Sequence, residues 1–152
     1  MQNLLNLLKE KHLTLGSIES MTGGLFASEF TSVSGASKVF KGSIVTYHVS
    51  EKINLLGIDK KVIDDNGVVS SIVANEMATK GRKILDVDIC VSVTGNAGPT
   101  CEPGGKPVGC VFIGVSASKG TEVEELSLKG NREEIRKNTI EKMKELIKKQ
   151  IF

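Results

Sequence analysis

Residues 87–95, VDICVSVTG, are almost unbroken in apolar character and run directly into a glycine-rich loop. A short run of this kind, rich in β-branched residues, reads as a central strand covered on both faces. The rest of the chain supplies the covering layers. Leu4, Leu5, Leu7, Leu8 and Leu13 mark an amphipathic first helix, followed by a strand candidate in TLGSIES. After TGG, the segment LFASEFTS resumes helical spacing, and VFKGSIVTYH reads as a second strand of about residues 40 to 48. Ser50 is the expected cap of a short helix over EKINLLG that stops at Gly57, and one further helical turn is expected near residues 59 to 64.

Ser70 or Ser71 opens a long helix, SIVANEMATKGRKIL, with Val73, Met77 and Ile84 on its inner face. The runs VGCVFIGVSAS and EVEELSLK, joined by KGT, form a hairpin, and Asn131 caps a last helix reaching about Lys149. The fold class is therefore α/β: a layered α/β/α single domain, residues 1–152, whose mixed β-sheet is flanked by helices. The sheet is mixed because one connection is a hairpin and the others are crossovers.

Composition narrows the function classes. Hydrophobic residues at 39% and charged residues at 25% are those of an ordinary globular chain, which sets aside disordered, collagen-like and coiled-coil classes. The net charge of +2 and a single Tyr with no Trp give no stacking surface for nucleic acid, so no nucleic-acid partner is expected. No signal peptide or membrane span is apparent, so a cytoplasmic location without membrane association is expected. Cys90, Cys101 and Cys110 lack CxxC spacing, and no histidine pair is present; neither a disulfide framework nor a metal site is expected. The apolar first helix suggests a homo-oligomer.

Two loops carry candidate chemistry. In SIESMTGGLFAS, Ser20, Thr22, Gly23 and Gly24 join a strand to a helix, a setting where free helix-start amides favour a phosphate or carboxylate. The loop has neither the P-loop nor the dinucleotide pattern, so no nucleotide cofactor is indicated. In SVTGNAGPTCEPGGKPVG, residues 92–109, five glycines and three prolines follow a strand, and a loop of this length is more often functional than idle. Lys106 is its candidate counter-charge. Parallel strands would bring both loops to one sheet edge, making a single cleft there the expected site.

The stretch SKVFKGSIVTYHVSEK contains Ser37, Tyr47 and Lys52. A serine attacks an amide only when a base accepts its proton, and a neutral lysine can serve. Lysine must then titrate about 3 pH units below its usual 10.4, worth roughly 4 kcal/mol. A straight strand of residues 40 to 48 spans roughly 30 Å at about 3.3 Å per residue. For Ser37 to reach Lys52, the chain must bend, for example at a bulge near Gly42, or the site must be shared between subunits.

The segments ESMTGG, SGASKVFKGSIVTYHVSEKINLLG, GVVSSIVANEMA, SVTGNAGP, KPVGCVFIG and GNREEIR, in this order, resemble the CinA C-terminal domain family over nearly the whole chain. The resemblance implies deamidation of nicotinamide mononucleotide to nicotinate mononucleotide, with catalysis by Ser37, Tyr47 and Lys52 and no cofactor. It also implies substrate-binding roles for Ser20, Thr22 and Gly23, and for Thr94, Gly95, Ala97 and Gly98. Met21 and Asn96 depart from the family pattern, and Asn96 is expected to place a polar group beside the pocket. A non-catalytic pyridine-nucleotide-binding module is the other reading; under both, the partner is a small-molecule nucleotide.

Overall fold

A computed structural model describes residues 1–152. The elements are α1 (Gln2–Glu10), β1 (Leu15–Glu19), α2 (Leu25–Thr31), β2 (Phe40–Val45), α3 (Val49–Asn54), α4 (Lys60–Asn66), α5 (Ser71–Leu85), β3 (Ile89–Gly95), β4 (Cys110–Ala117), β5 (Gly120–Ser127) and α6 (Arg132–Ile151). One mixed sheet has the order β2-β1-β3-β4-β5, with β1, β2 and β3 parallel and β4 antiparallel to both its neighbours. The run at residues 87–95 thus lies at the sheet centre as β3, buried on both faces. No helix is long and apolar enough to cross a membrane.

Two apolar clusters cover the sheet. Leu4, Leu5 and Leu8 of α1, Phe26 and Phe30 of α2 and Ile135, Ile140, Met143 and Ile147 of α6 pack on one face with Leu15, Val91 and Ile113. Val73 and Met77 of α5 pack on the other with Ile18, Ile58, Ile63 and Cys90. The apolar stripe of α1 is therefore used within the chain's own core, which removes the sequence argument for an oligomer. Ile84, expected inside, is 49% exposed near the end of α5, where Gly81 and Leu85 are the residues that face β1.

The helix borders shift for local reasons. His48, not Ser50, caps α3: its ring accepts the Ser50 backbone N–H at 3.2 Å. The expected single turn near residue 60 is a full helix, α4, capped by Asp59, which accepts the Lys61 N–H at 2.9 Å. Ser70 and Asn131 cap α5 and α6 as expected.

Close contact between α5 and the sheet depends on Gly81. A Cβ built there would lie 2.3 Å from Ile18 Cγ1 and 3.0 Å from Cys90 Sγ. Alanine would improve helix propensity by about 1 kcal/mol, but forcing α5 off β1 costs about 1–3 kcal/mol. Gly81→Ala is expected to lower the Tm; an unchanged or raised Tm in a thermal melt would contradict this packing.

Candidate active site

Because β1, β2 and β3 are parallel, the segments after all three emerge at one edge of the sheet. Along β1 the side chains alternate between layers. Leu15 joins the α1/α6 core, while a Cβ at Gly16 would meet Leu85 and Val87, and Ile18 packs against Gly81 of α5. Glu19 then points to the α2 side and Ser20 to the opposite one.

Glu19 is completely buried and its carboxylate is fully engaged. Its two oxygens accept the backbone N–H groups of Phe26 at 3.0 Å and Ala27 at 3.1 Å, and the Ser43 hydroxyl donates to it at 3.2 Å. The anion expected at the start of α2 is thus the chain's own glutamate, and the phosphate expected there has no helix amides left to bind. The turn that allows this return uses left-handed φ at Gly23 (60°) and Gly24 (97°), which side chains disfavour. Glu19→Ala would leave two buried amides and a hydroxyl without their partner, a cost on the order of 2–4 kcal/mol. The expected result is a lower urea midpoint with an unchanged slope; a wild-type midpoint would contradict it.

Ser20 meets Lys52. The Lys52 Nζ lies 2.9 Å from Ser20 Oγ and 2.5 Å from the Thr46 carbonyl oxygen, and the whole lysine is 0% exposed. Burial lowers its pKa from 10.5 to about 8. No acid pairs with it, so desolvation acts unopposed and favours the neutral amine. The Thr46 N–H donates to the Glu19 carbonyl at 2.9 Å, extending the β1–β2 pairing by one residue and holding Thr46 beside Ser20. Two neighbouring hydroxyls, those of Thr22 and Thr46, are buried without a hydrogen-bond partner.

Ser37 is not brought to Lys52 within the chain. It lies exposed in a short 3-10 turn, Ala36–Lys38, before β2, whereas Lys52 follows the other end of that strand. A bulge does occur, where Leu15 pairs with Phe40 and Gly16 with Gly42, but it adds one residue to β2 without turning the strand back. Six residues of β2 span about 20 Å, so the two side chains stand at opposite sheet edges.

Tyr47 is 60% exposed at the site edge, and its hydroxyl accepts from Arg132 Nη2 at 3.2 Å. Arg132 Nη1 also donates to the Gly98 carbonyl at 2.7 Å, so one guanidinium ties the segment after β2 to the loop after β3. One turn further along α6, Arg136 donates to the carbonyls of Met21 at 3.1 Å and Thr22 at 2.8 Å. In the long loop, Thr94 donates to the Val68 carbonyl at 3.0 Å, and Ala97 is buried in the main core.

Asn96 borders a cleft, as expected, and its side chain also ties the loop together. Its Oδ1 accepts the Gly98 N–H at 2.9 Å, and its Nδ2 donates to the carbonyls of Thr100 at 3.2 Å and Lys106 at 3.1 Å. Between this loop and residues 66–69 lies a cleft of about 580 Å³, lined by Gly95, Asn96 and Lys106 among others. Glu19, Arg132 and Arg136, which hold the segments around the serine–lysine pair, are not singled out by the sequence reading. A glutamate inside a buried strand, and two arginines one turn apart after a capping Asn, were the available signals.

Fold and site together define an α/β protein with a buried serine–lysine pair at the carboxyl edge of its parallel strands. The chain belongs to the CinA C-terminal domain family, whose model matches residues 1–151. It is 42% identical to a CinA-like protein of Flavobacterium psychrophilum, over 96% of this chain and 35% of that protein. A CinA-like protein of Kosmotoga olearia is likewise 42% identical, over 88% and 32%. The chain thus spans about a third of the length of the curated relatives it matches. Among solved structures, the competence/damage inducible protein CihA from Agrobacterium tumefaciens superposes with a TM-score of 0.92 at 30% identity, covering 96% of this chain and 90% of that one. A competence or damage-inducible protein from Enterobacter asburiae shares the fold, with a TM-score of 0.95 at 21% identity and coverage of 99% and 95%.

Proposed function

We propose that this protein is an amidohydrolase that converts nicotinamide mononucleotide to nicotinate mononucleotide and ammonia, with Ser20 as nucleophile and Lys52 as its base. The observation that carries this reading is the 2.9 Å contact between Ser20 Oγ and a buried lysine amine that titrates near 8. At pH 7 about a tenth of such an amine is neutral, against less than a thousandth of an ordinary lysine. The substrate class rests on the family resemblance.

Ser20 Oγ attacks the carboxamide carbon as its proton passes to Lys52 Nζ, and the carbonyl π electrons move onto oxygen. When that oxyanion collapses, the C–N bond breaks and the amine leaves as ammonia with the proton from Lys52. Water then attacks the Ser20 ester, Lys52 takes its proton and returns it to Oγ, and the carboxylic acid departs. Tyr47, whose hydroxyl is steadied by Arg132, serves the leaving amine at the site mouth.

The test is ammonia release and mass-spectrometric detection of nicotinate mononucleotide from purified protein incubated with nicotinamide mononucleotide. Thermal stabilisation by the nucleotide without ammonia would replace the amidase reading by that of a binding module.

A further inference from the structure

The two carbonyls held by Arg136 determine where the intervening peptide points. In a trans peptide the C=O and the following N–H are antiparallel. With the Met21 carbonyl directed at Arg136 on α6, the Thr22 N–H is directed away from α6. That is the side to which the alternation along β1 sends Ser20, and on which Ser20 Oγ meets Lys52 of α3. The next peptide is also fixed: Arg136 takes the Thr22 carbonyl, and the Gly23 N–H closes onto the Ser20 carbonyl at 3.0 Å.

Thr22 is 0% exposed, yet its N–H makes no backbone hydrogen bond and its Oγ1 has no partner. A buried donor without a partner is costly, and such donors in a folded chain call for a reason. Here the unbonded donor lies two residues from the serine, on the serine's side of the chain, with its peptide clamped from behind by a guanidinium. This is how a donor preorganised for an oxygen that acquires charge during the reaction would be built.

We infer that the Thr22 backbone N–H is an oxyanion donor for acyl transfer at Ser20, and that Arg136 is the positioning residue that aims it. The inference rests on the amidase reading above. Arg136 makes no hydrogen bond to Ser20; it acts by fixing two carbonyls, which a shorter or single-pronged side chain cannot do together.

The experiment measures steady-state ammonia release from nicotinamide mononucleotide by wild type, Arg136→Ala and Arg136→Lys across pH 6 to 10, with and without millimolar guanidinium chloride. Loss of one oxyanion donor lowers kcat by about 100-fold or more. The expected result is a fall of that order in both variants, with KM within about threefold and the inflection near pH 8 retained. Guanidinium is expected to restore part of the kcat of Arg136→Ala and none of that of Arg136→Lys. If Arg136→Ala does not fold, Arg136→Lys alone reads the kcat loss. An active wild type with undiminished kcat in the folded variants, or a loss confined to KM, would overturn the assignment. A wild type that releases no ammonia would overturn the amidase reading, and this assignment with it.

Discussion

Ser20→Ala is expected to lower kcat for ammonia release from nicotinamide mononucleotide by about 10³-fold or more, the scale seen when a serine nucleophile is removed. Ser37→Ala is expected to stay within about twofold of wild type. The contrast follows from placement: Ser20 shares a 2.9 Å contact with the buried lysine, whereas Ser37 is exposed before β2, a strand's length away. Assaying the two variants side by side decides between them. Full activity in Ser20→Ala with loss in Ser37→Ala would favour a site completed by Ser37 of a second copy of the chain, and would displace Ser20 from the mechanism.

Lys52→Met separates catalysis from stability. The variant is expected to lose activity by about 10³-fold or more, because Lys52 is the side chain hydrogen-bonded to Ser20 Oγ. Its stability should move the other way near neutral pH. The folded protein holds Lys52 at about 8, against 10.5 for the ordinary side chain. Below pH 8 the full cost of keeping a charged amine buried is present, about 3 kcal/mol at 1.36 kcal/mol per pH unit. Between 8 and 10.5 the unfolded chain binds more protons than the folded one, so stability rises with pH and the cost disappears. Methionine removes that cost but strands the Thr46 carbonyl, which takes back about 1–3 kcal/mol. Lys52→Met should therefore equal or exceed wild type at pH 7 by up to about 2 kcal/mol, and fall behind it at pH 10. Urea unfolding at both pH values measures this; a constant difference between the two proteins would show that Lys52 does not titrate as described. The same protonation makes wild-type kcat/KM climb about tenfold per pH unit below 8.

Where local rules suffice, the sequence was legible. The near-continuous apolar run and β-branching of residues 87–95 place β3 at the sheet centre, Asn131 and Ser70 cap their helices, and the expected hairpin joins β4 to β5, its turn at Ser118 and Lys119 rather than over KGT. Where a residue's role depends on what arrives from elsewhere in the chain, it was not. The amides at the start of α2 look free until Glu19, seven residues earlier, folds back onto them. Asn96 does line the cleft, but that its side chain also closes a loop over ten residues shows only in the structure.

The family resemblance gave Ser37 its catalytic role, and the strand length that stood between it and Lys52 in the sequence stands between them in the folded chain. The sequence by itself determined that a serine, a tyrosine and a lysine accompany two glycine-rich loops in a layered α/β chain of the CinA family. Only the tertiary structure decided which serine is within reach of the lysine. The parallel pairing of β1 with β2 sets the carboxyl ends of both strands side by side, which brings residue 20 to residue 52 and leaves residue 37 at the far edge.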